Sequence, residues 1–68
     1  MSESTYTVSG MTCDHCVASV TEEISGLDGV TAVAVDLPTG AVTVTSTTPL
    51  AEADVRNAVE EAGYRLAA

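Results

Sequence analysis

Two alternating apolar runs in the middle of the chain, separated by a short turn, limit the fold more than any other stretch. In Val30 to Leu37, Val33, Val35 and Leu37 fall on one side of an extended strand, and Ala32, Ala34 and Asp36 on the other. Ala41 to Ser46 repeats the alternation with Val42 and Val44. Side chains alternate across a strand with a period of two, so both runs read as strands with one face in the core. Pro38-Thr39-Gly40 between them reads as the turn of a β-hairpin.

The segments flanking this hairpin have the other period. Asp14 to Ser25 spaces Cys16 or Val17, Val20, Ile24 and then Leu27 at three- and four-residue steps, which predicts a helix with that side buried. Gly26 is expected at C′ in the left-handed conformation, with Leu27 making the apolar contact that accompanies it, and Asp28-Gly29 turns the chain. Ala51 to Ala62 predicts a second helix that buries Leu50, Val55, Ala58, Val59 and Ala62. Its start is poorly signalled, because Thr48 before Pro49 is a reasonable cap and Ala51 a poor one.

A strand is expected at each end. Thr5 to Ser9 places Tyr6 and Val8 on one face, after a polar and frayed Met1 to Ser4. Gly63-Tyr64 repeats the ending of the first helix and opens a last strand, Tyr64 to Ala67. The order is βαββαβ, which predicts an α+β ferredoxin-like sandwich: four antiparallel strands with both helices on one face. The 68 residues form a single domain, 1–68, small enough to bury on the order of 60% of its unfolded surface. With no Trp or Phe, its core is thin and aliphatic, and a stability of about 5 kcal/mol is expected.

Ten carboxylates against Arg56 and Arg65 give a net charge of -8. Such a field repels phosphate backbones and anionic lipid, which argues against nucleic-acid or membrane-surface roles. It favours a partner with a basic docking patch, or does no more than keep the chain dispersed. No amino-terminal stretch joins basic residues to an apolar run, and nothing approaches the roughly 20 apolar residues of a membrane span, so a cytoplasmic location is expected.

The chemistry is concentrated in Gly10-Met11-Thr12-Cys13-Asp14-His15-Cys16, which holds both cysteines and the one histidine. Two cysteines three positions apart close too small a loop to serve as a structural staple. They can instead converge on one ion if the first lies in a loop and the second in the opening turn of a helix. There the unpaired backbone N–H groups and the positive end of the helix dipole favour thiolate over thiol. A structural zinc site normally takes four protein ligands, which this chain does not offer in one place. Soft thiolates select Cu(I), and a monovalent d10 ion is satisfied by two nearly linear sulfurs. So low a ligand count leaves the ion open to a third thiolate from another protein, which is the property of a carrier.

This loop resembles the metal-binding loop of the heavy-metal-associated domain, whose pattern is G-M-T-C-x-x-C. Gly29-Val30 and Ala62-Gly63-Tyr64 fall where that family has similar residues, so the resemblance runs from about Tyr6 to Leu66. The chain is most similar to the family's freestanding bacterial copper chaperones. The resemblance implies that Cys13 and Cys16 bind Cu(I) as a bis-thiolate, and that the ion passes by ligand exchange to a copper-transporting P-type ATPase, with a copper-responsive regulator as a second candidate recipient. No nucleic-acid partner is implied, and a membrane is met only through the ATPase. The apo chain is expected to be a monomer, with a copper-linked homodimer through the exposed sulfurs as the alternative state.

For the neighbouring residues the resemblance leaves more than one role. Met11 is a soft thioether, but in this loop the methionine points into the core and pins the loop rather than ligating. His15 is expected to face outward and to tune the site or serve as a transient ligand in a dimer; alternatively it ligates directly, or has no role. Asp14 stabilises the first helical turn while opposing thiolate formation beside it. Tyr64 is expected beside the site, where it shields the ion and shapes docking, a role compatible with a plain core aromatic. The family also includes ATPase domains and mercury-binding proteins, and Hg(II) suits the same two sulfurs. A thiol-disulfide oxidoreductase shares the CxxC spacing, but this chain is too short for a thioredoxin fold and has no Trp or Pro flanking the pair. No enzymatic activity is expected.

Overall fold

The computed structural model describes residues 1–67; residue 68, which the single-domain expectation includes, lies outside the described residues. The elements run β1 (Ser2–Ser9), α1 (Asp14–Ser25), β2 (Val30–Asp36), β3 (Ala41–Ser46), α2 (Glu52–Glu61) and β4 (Arg65–Leu66). They form one antiparallel sheet in the order β2-β3-β1-β4. This is the ferredoxin-like sandwich expected from the order of elements.

One face of the sheet carries the core. Val42 and Val44 of β3 and Val8 of β1 pack against Val20 and Ile24 of α1 and Val55, Ala58 and Val59 of α2, all of them buried. Tyr6, Val33, Val35 and Leu66 extend this layer at its margins. In β2 a bulge between Val30 and Ala32 shifts the register by one, so that Val30 opposes Ser46 while Val33 opposes Val44. Two valines three apart in sequence thereby face the same side, which an unbroken strand would forbid. Ser46, the one buried polar residue among the described residues, donates its hydroxyl to the Thr48 carbonyl.

The hairpin turn is held by Asp36, whose carbonyl accepts the Gly40 N–H at 2.8 Å and whose carboxylate accepts the Thr39 hydroxyl at 3.1 Å. Gly40 is required twice over. Its φ is +75°, and a Cβ there would lie 2.7 Å from the Val8 carbonyl oxygen. The close approach lets Gly40 accept the Val8 N–H at 2.8 Å, tying the turn to β1.

Several boundaries differ from expectation. β1 begins at Ser2 instead of Thr5, because Ser2 to Ser4 pair with Val44 to Ser46 and the ladder satisfies their backbones. β2 stops at Asp36, one residue short of Leu37, where the turn starts. α2 spans Glu52–Glu61, with Ala51 and Ala62 as its caps and no side-chain cap at Ala51. β4 is two residues long, and Tyr64 precedes it.

The two helix ends also differ from each other. Gly63 has φ +95°, the Gly63 N–H bonds to the Glu60 carbonyl at 2.9 Å and the Tyr64 N–H to the Val59 carbonyl at 3.1 Å, a complete Schellman motif. Gly26 is not left-handed as expected. It caps α1 with φ -76°, and α1 ends in tightened i→i+3 bonds from Gly26 to Glu23 and from Leu27 to Ile24. The left-handed residue of that connection is Gly29, at φ +87°.

Candidate metal centre

Chain direction changes sharply between β1 and α1, and this loop presents the two cysteines. Met11 is half-buried and packs against the core. Cys13 is the N-cap of α1, in extended conformation (φ -156°, ψ 170°), and its carbonyl accepts the first helical bond, from Val17 N–H, at 3.2 Å. Its side chain makes no capping hydrogen bond and is exposed, so the sulfur can turn toward the helix interior. Cys16 is the third residue of the helix, half-buried, and its Sγ lies 3.3 Å from that of Cys13. The expected convergence of a loop cysteine and a first-turn cysteine is met.

Cys16 sits in an environment built for a thiolate. Its pKa falls from 9.0 to about 6, chiefly through a backbone hydrogen bond from Thr12, then through the Tyr64 hydroxyl and the Cys13 thiol, with partial burial acting the other way. The Thr12 hydroxyl also lies 3.9 Å from the same sulfur. Tyr64 responds in the opposite sense: donating to Cys16 stabilises its protonated form and raises its pKa. The Tyr64 ring is half-buried and packs on Gly10, where an added Cβ would come within 3.3 Å of Cδ1. The Schellman turn at Gly63 and the bare backbone of Gly10 together place this ring beside the sulfurs.

The remaining candidates are not drawn in. His15 is exposed, and its backbone carbonyl accepts the Ser19 hydroxyl at 3.2 Å. Asp14 is exposed in the first helical turn. Among the described residues no three of His, Cys, Asp and Glu converge as a metal-holding group, so no histidine or carboxylate joins the two sulfurs. Thr12 was given no role by sequence reasoning, and no local signal marks it, since its bond to Cys16 exists only once the loop folds back on the helix. Arg65 was also passed over; it lines a shallow groove with Ser9, Gly10, Glu60 and Tyr64 on the flank of the loop. The other arginine, Arg56, is engaged by Glu52 at 3.3 Å. No helix is long and apolar enough to cross a membrane among the described residues.

Known proteins resemble this chain in sequence and fold. The model of the heavy-metal-associated domain matches residues 5–65. The chain is 40% identical over 68 residues to a protein named copper chaperone CopZ from Bacillus subtilis, covering 98% of this chain and 99% of that one. A solved structure of a CopZ metallochaperone superposes with a TM-score of 0.90 at 33% identity, over 97% of this chain and 100% of that one. A copper-binding domain from a P-type ATPase superposes with a TM-score of 0.88 at 29% identity, over 100% of this chain and 96% of that domain.

Proposed function

The chain belongs to the heavy-metal-associated domain family, and from that premise we propose that it is a Cu(I) metallochaperone, acting in the cytoplasm, that carries one ion on the thiolates of Cys13 and Cys16. The observation that carries this reading is the pair of sulfurs 3.3 Å apart at the start of α1, one exposed and one half-buried, which no histidine or carboxylate among the described residues joins. A binding site for permanent retention would enclose its ion, whereas this one leaves an open flank. The full-length likeness to a copper chaperone supports the same conclusion.

Binding requires movement of one sulfur. With metal–sulfur bonds of about 2.3 Å, the value for zinc thiolates, a nearly linear arrangement separates the sulfurs by roughly twice that length. Cys16 is held by Thr12 and Tyr64; Cys13 is on an extended, exposed residue. Cys13 therefore swings outward to accept the ion while Cys16 remains in place. Delivery runs the same motion in reverse. A thiolate of the acceptor attacks the exposed side of the ion, three sulfurs share it, and Cys13 leaves first because it has the fewest contacts to break. No bond is oxidised or reduced, and copper is cargo throughout.

The acceptor in this reading is a copper-transporting P-type ATPase, and a thiol-bearing copper-responsive regulator is a second recipient. The likeness to a P-type ATPase domain supports the first, because donor and acceptor with the same fold can present matching loops to one another. His15, exposed beside the pair, serves transfer rather than resting coordination, and copper can draw two otherwise monomeric chains together through their open flanks. The test is an anaerobic Cu(I) titration against a chromogenic chelator, comparing the native chain with a Cys13→Ser/Cys16→Ser variant. The reading requires tight binding of one Cu(I) per chain that the variant loses; equal loss of copper from both would refute it.

A further inference from the structure

The reversal between α1 and β2 rests on two residues that the metal chemistry does not use. Leu27 to Val30 form a β-turn, closed by the bond from the Val30 N–H to the Leu27 carbonyl at 3.3 Å. Asp28 and Gly29 are its central residues, and both are exposed. Gly29 has φ +87°, the left-handed geometry that the third position of such a turn demands and that a residue without Cβ adopts freely.

An aspartate can react with its own backbone: the nitrogen of the next residue closes on the side-chain carboxyl carbon to give a succinimide. The reaction needs a following residue with no side chain crowding the nitrogen, an N–H not committed to a hydrogen bond, and a carboxyl not held elsewhere. Asp28 meets all of these. Gly29 has no side chain, and among the described residues its N–H makes no hydrogen bond and the Asp28 carboxylate makes neither a hydrogen bond nor an ion pair. The other aspartates do not qualify. The Asp36 carboxylate accepts the Thr39 hydroxyl at 3.1 Å, and Leu37 follows it. Asp54 precedes β-branched Val55, whose N–H is bonded to the Ala51 carbonyl at 3.4 Å. Asp14 is fixed in the first turn of α1 and is followed by His15.

We propose that Asp28-Gly29 is a site of spontaneous covalent modification, where the backbone isomerises through a succinimide to isoaspartate. The Gly29 nitrogen bonds to the Asp28 side-chain carboxyl carbon and gives up its proton, the carboxyl gives up its hydroxyl, and one water leaves. Water then adds to either carbonyl of the ring. Opening at the former side-chain carbonyl restores aspartate; opening at the former backbone carbonyl leaves the chain running through the side chain, one methylene longer. Nothing is oxidised or reduced, and no metal takes part, so the modification stands apart from copper carriage.

The longer backbone falls where the fold has no slack. The Gly29 carbonyl accepts the Thr47 N–H at 2.8 Å, and a Cβ on Gly29 would lie 3.1 Å from the Thr47 hydroxyl oxygen. Displacing Gly29 breaks that bond and the closure from Val30 to Leu27, which together start β2 in register with Val30 opposite Ser46. Cys13 and Cys16 lie at the other end of α1, so the isomer keeps its thiol pair and loses stability.

The test incubates the reduced, metal-free chain at neutral pH and physiological temperature. Isoaspartate is followed by methyl transfer from S-adenosylmethionine with a protein isoaspartyl methyltransferase, and located by fragmentation mass spectrometry. It should accumulate at Asp28 ahead of Asp14, Asp36 and Asp54, with no change in the mass of the chain. Asp28→Glu, whose ring would be larger, should lose the signal, and Asp28→Asn, which expels ammonia in place of water, should gain it faster. The isoaspartyl chain, separated from the native one, should unfold at lower urea. Isoaspartate that appears first at another aspartate, or equally in the native chain and in Asp28→Glu, overturns the proposal, and so does an isomer as stable as the native chain.

Discussion

The sulfurs of Cys13 and Cys16 stand 3.3 Å apart on the two sides of a helix start, Cys13 as the cap and Cys16 one turn inside. This division gives the two cysteines different chemistry. Cys16 has the hydrogen bonds, and Cys13 the freedom to move.

The first consequence is a pH dependence. Because the Cys16 pKa is depressed from 9.0 to about 6, its alkylation by iodoacetamide should rise through a midpoint near pH 6 in the reduced apo protein. Tyr64→Phe removes the second-largest cause of the depression and should move that midpoint upward, while the ring stays on Gly10. The same shift contributes to stability with a defined sign: the contribution is complete above the unfolded thiol pKa near 9 and is lost as pH falls through about 6. Site-resolved alkylation across this range, read by mass spectrometry, tests it; a Cys16 midpoint at the ordinary thiol value would contradict it.

A second consequence separates folding from binding. Cys13 occupies an N-cap but makes no side-chain cap bond, and serine is among the better capping residues, with cap bonds contributing typically about 1 kcal/mol. Cys13→Ser should therefore abolish tight Cu(I) binding and yet leave the apo chain as stable as the native one or up to about 1 kcal/mol more so. Urea unfolding of both apo proteins would show it. A Cys13→Ser chain that unfolds at lower urea would mean that the sulfur packs as a structural element.

Local pattern was enough to reveal the hairpin, both helices and the order of elements, because each depends on periodicity within a dozen residues. The failures are non-local. Ser2 to Ser4 have no apolar signal of their own, and become strand because β3 offers them a ladder. Gly26-Leu27 and Gly63-Tyr64 look alike in sequence, yet only Gly63 is left-handed, since Gly29 supplies the reversal after α1. In the site, the cysteine pair was legible from spacing and family resemblance together, and the place of Tyr64 from resemblance alone. The bond from Thr12 to Cys16 was not legible, because it joins two residues whose proximity arises from the loop's path.

His15 gives a third prediction. It is exposed, and it forms no metal-holding group with the two cysteines. His15→Ala should leave the Cu(I) stoichiometry at one and change the affinity by no more than about 2-fold, less than about 0.5 kcal/mol. Any effect should appear in the rate of transfer to an acceptor thiol or in copper-linked association. Chelator competition and stopped-flow transfer on the same variant distinguish these; a large loss of affinity would make the imidazole a resting ligand.

The fourth prediction contrasts two glycines that sequence alone does not separate. Gly40 combines φ +75° with a 2.7 Å approach of any Cβ to the Val8 carbonyl, so Gly40→Ala must either rotate the turn or push β1 away. Both break the Val8–Gly40 hydrogen bond that joins the hairpin to the centre of the sheet. The cost should exceed about 1 kcal/mol, a large share of a total stability of about 5 kcal/mol. Gly26 has φ -76°, and a Cβ there would meet the Glu23 carbonyl at 3.4 Å, an ordinary contact. Gly26→Ala thus strains nothing and restricts the unfolded chain, so it should be neutral or stabilise by up to about 1 kcal/mol. Chemical denaturation of the two variants decides the matter: if Gly26→Ala is the more damaging, the ending of α1 is left-handed after all, and the Asp28-Gly29 turn is not what reverses the chain.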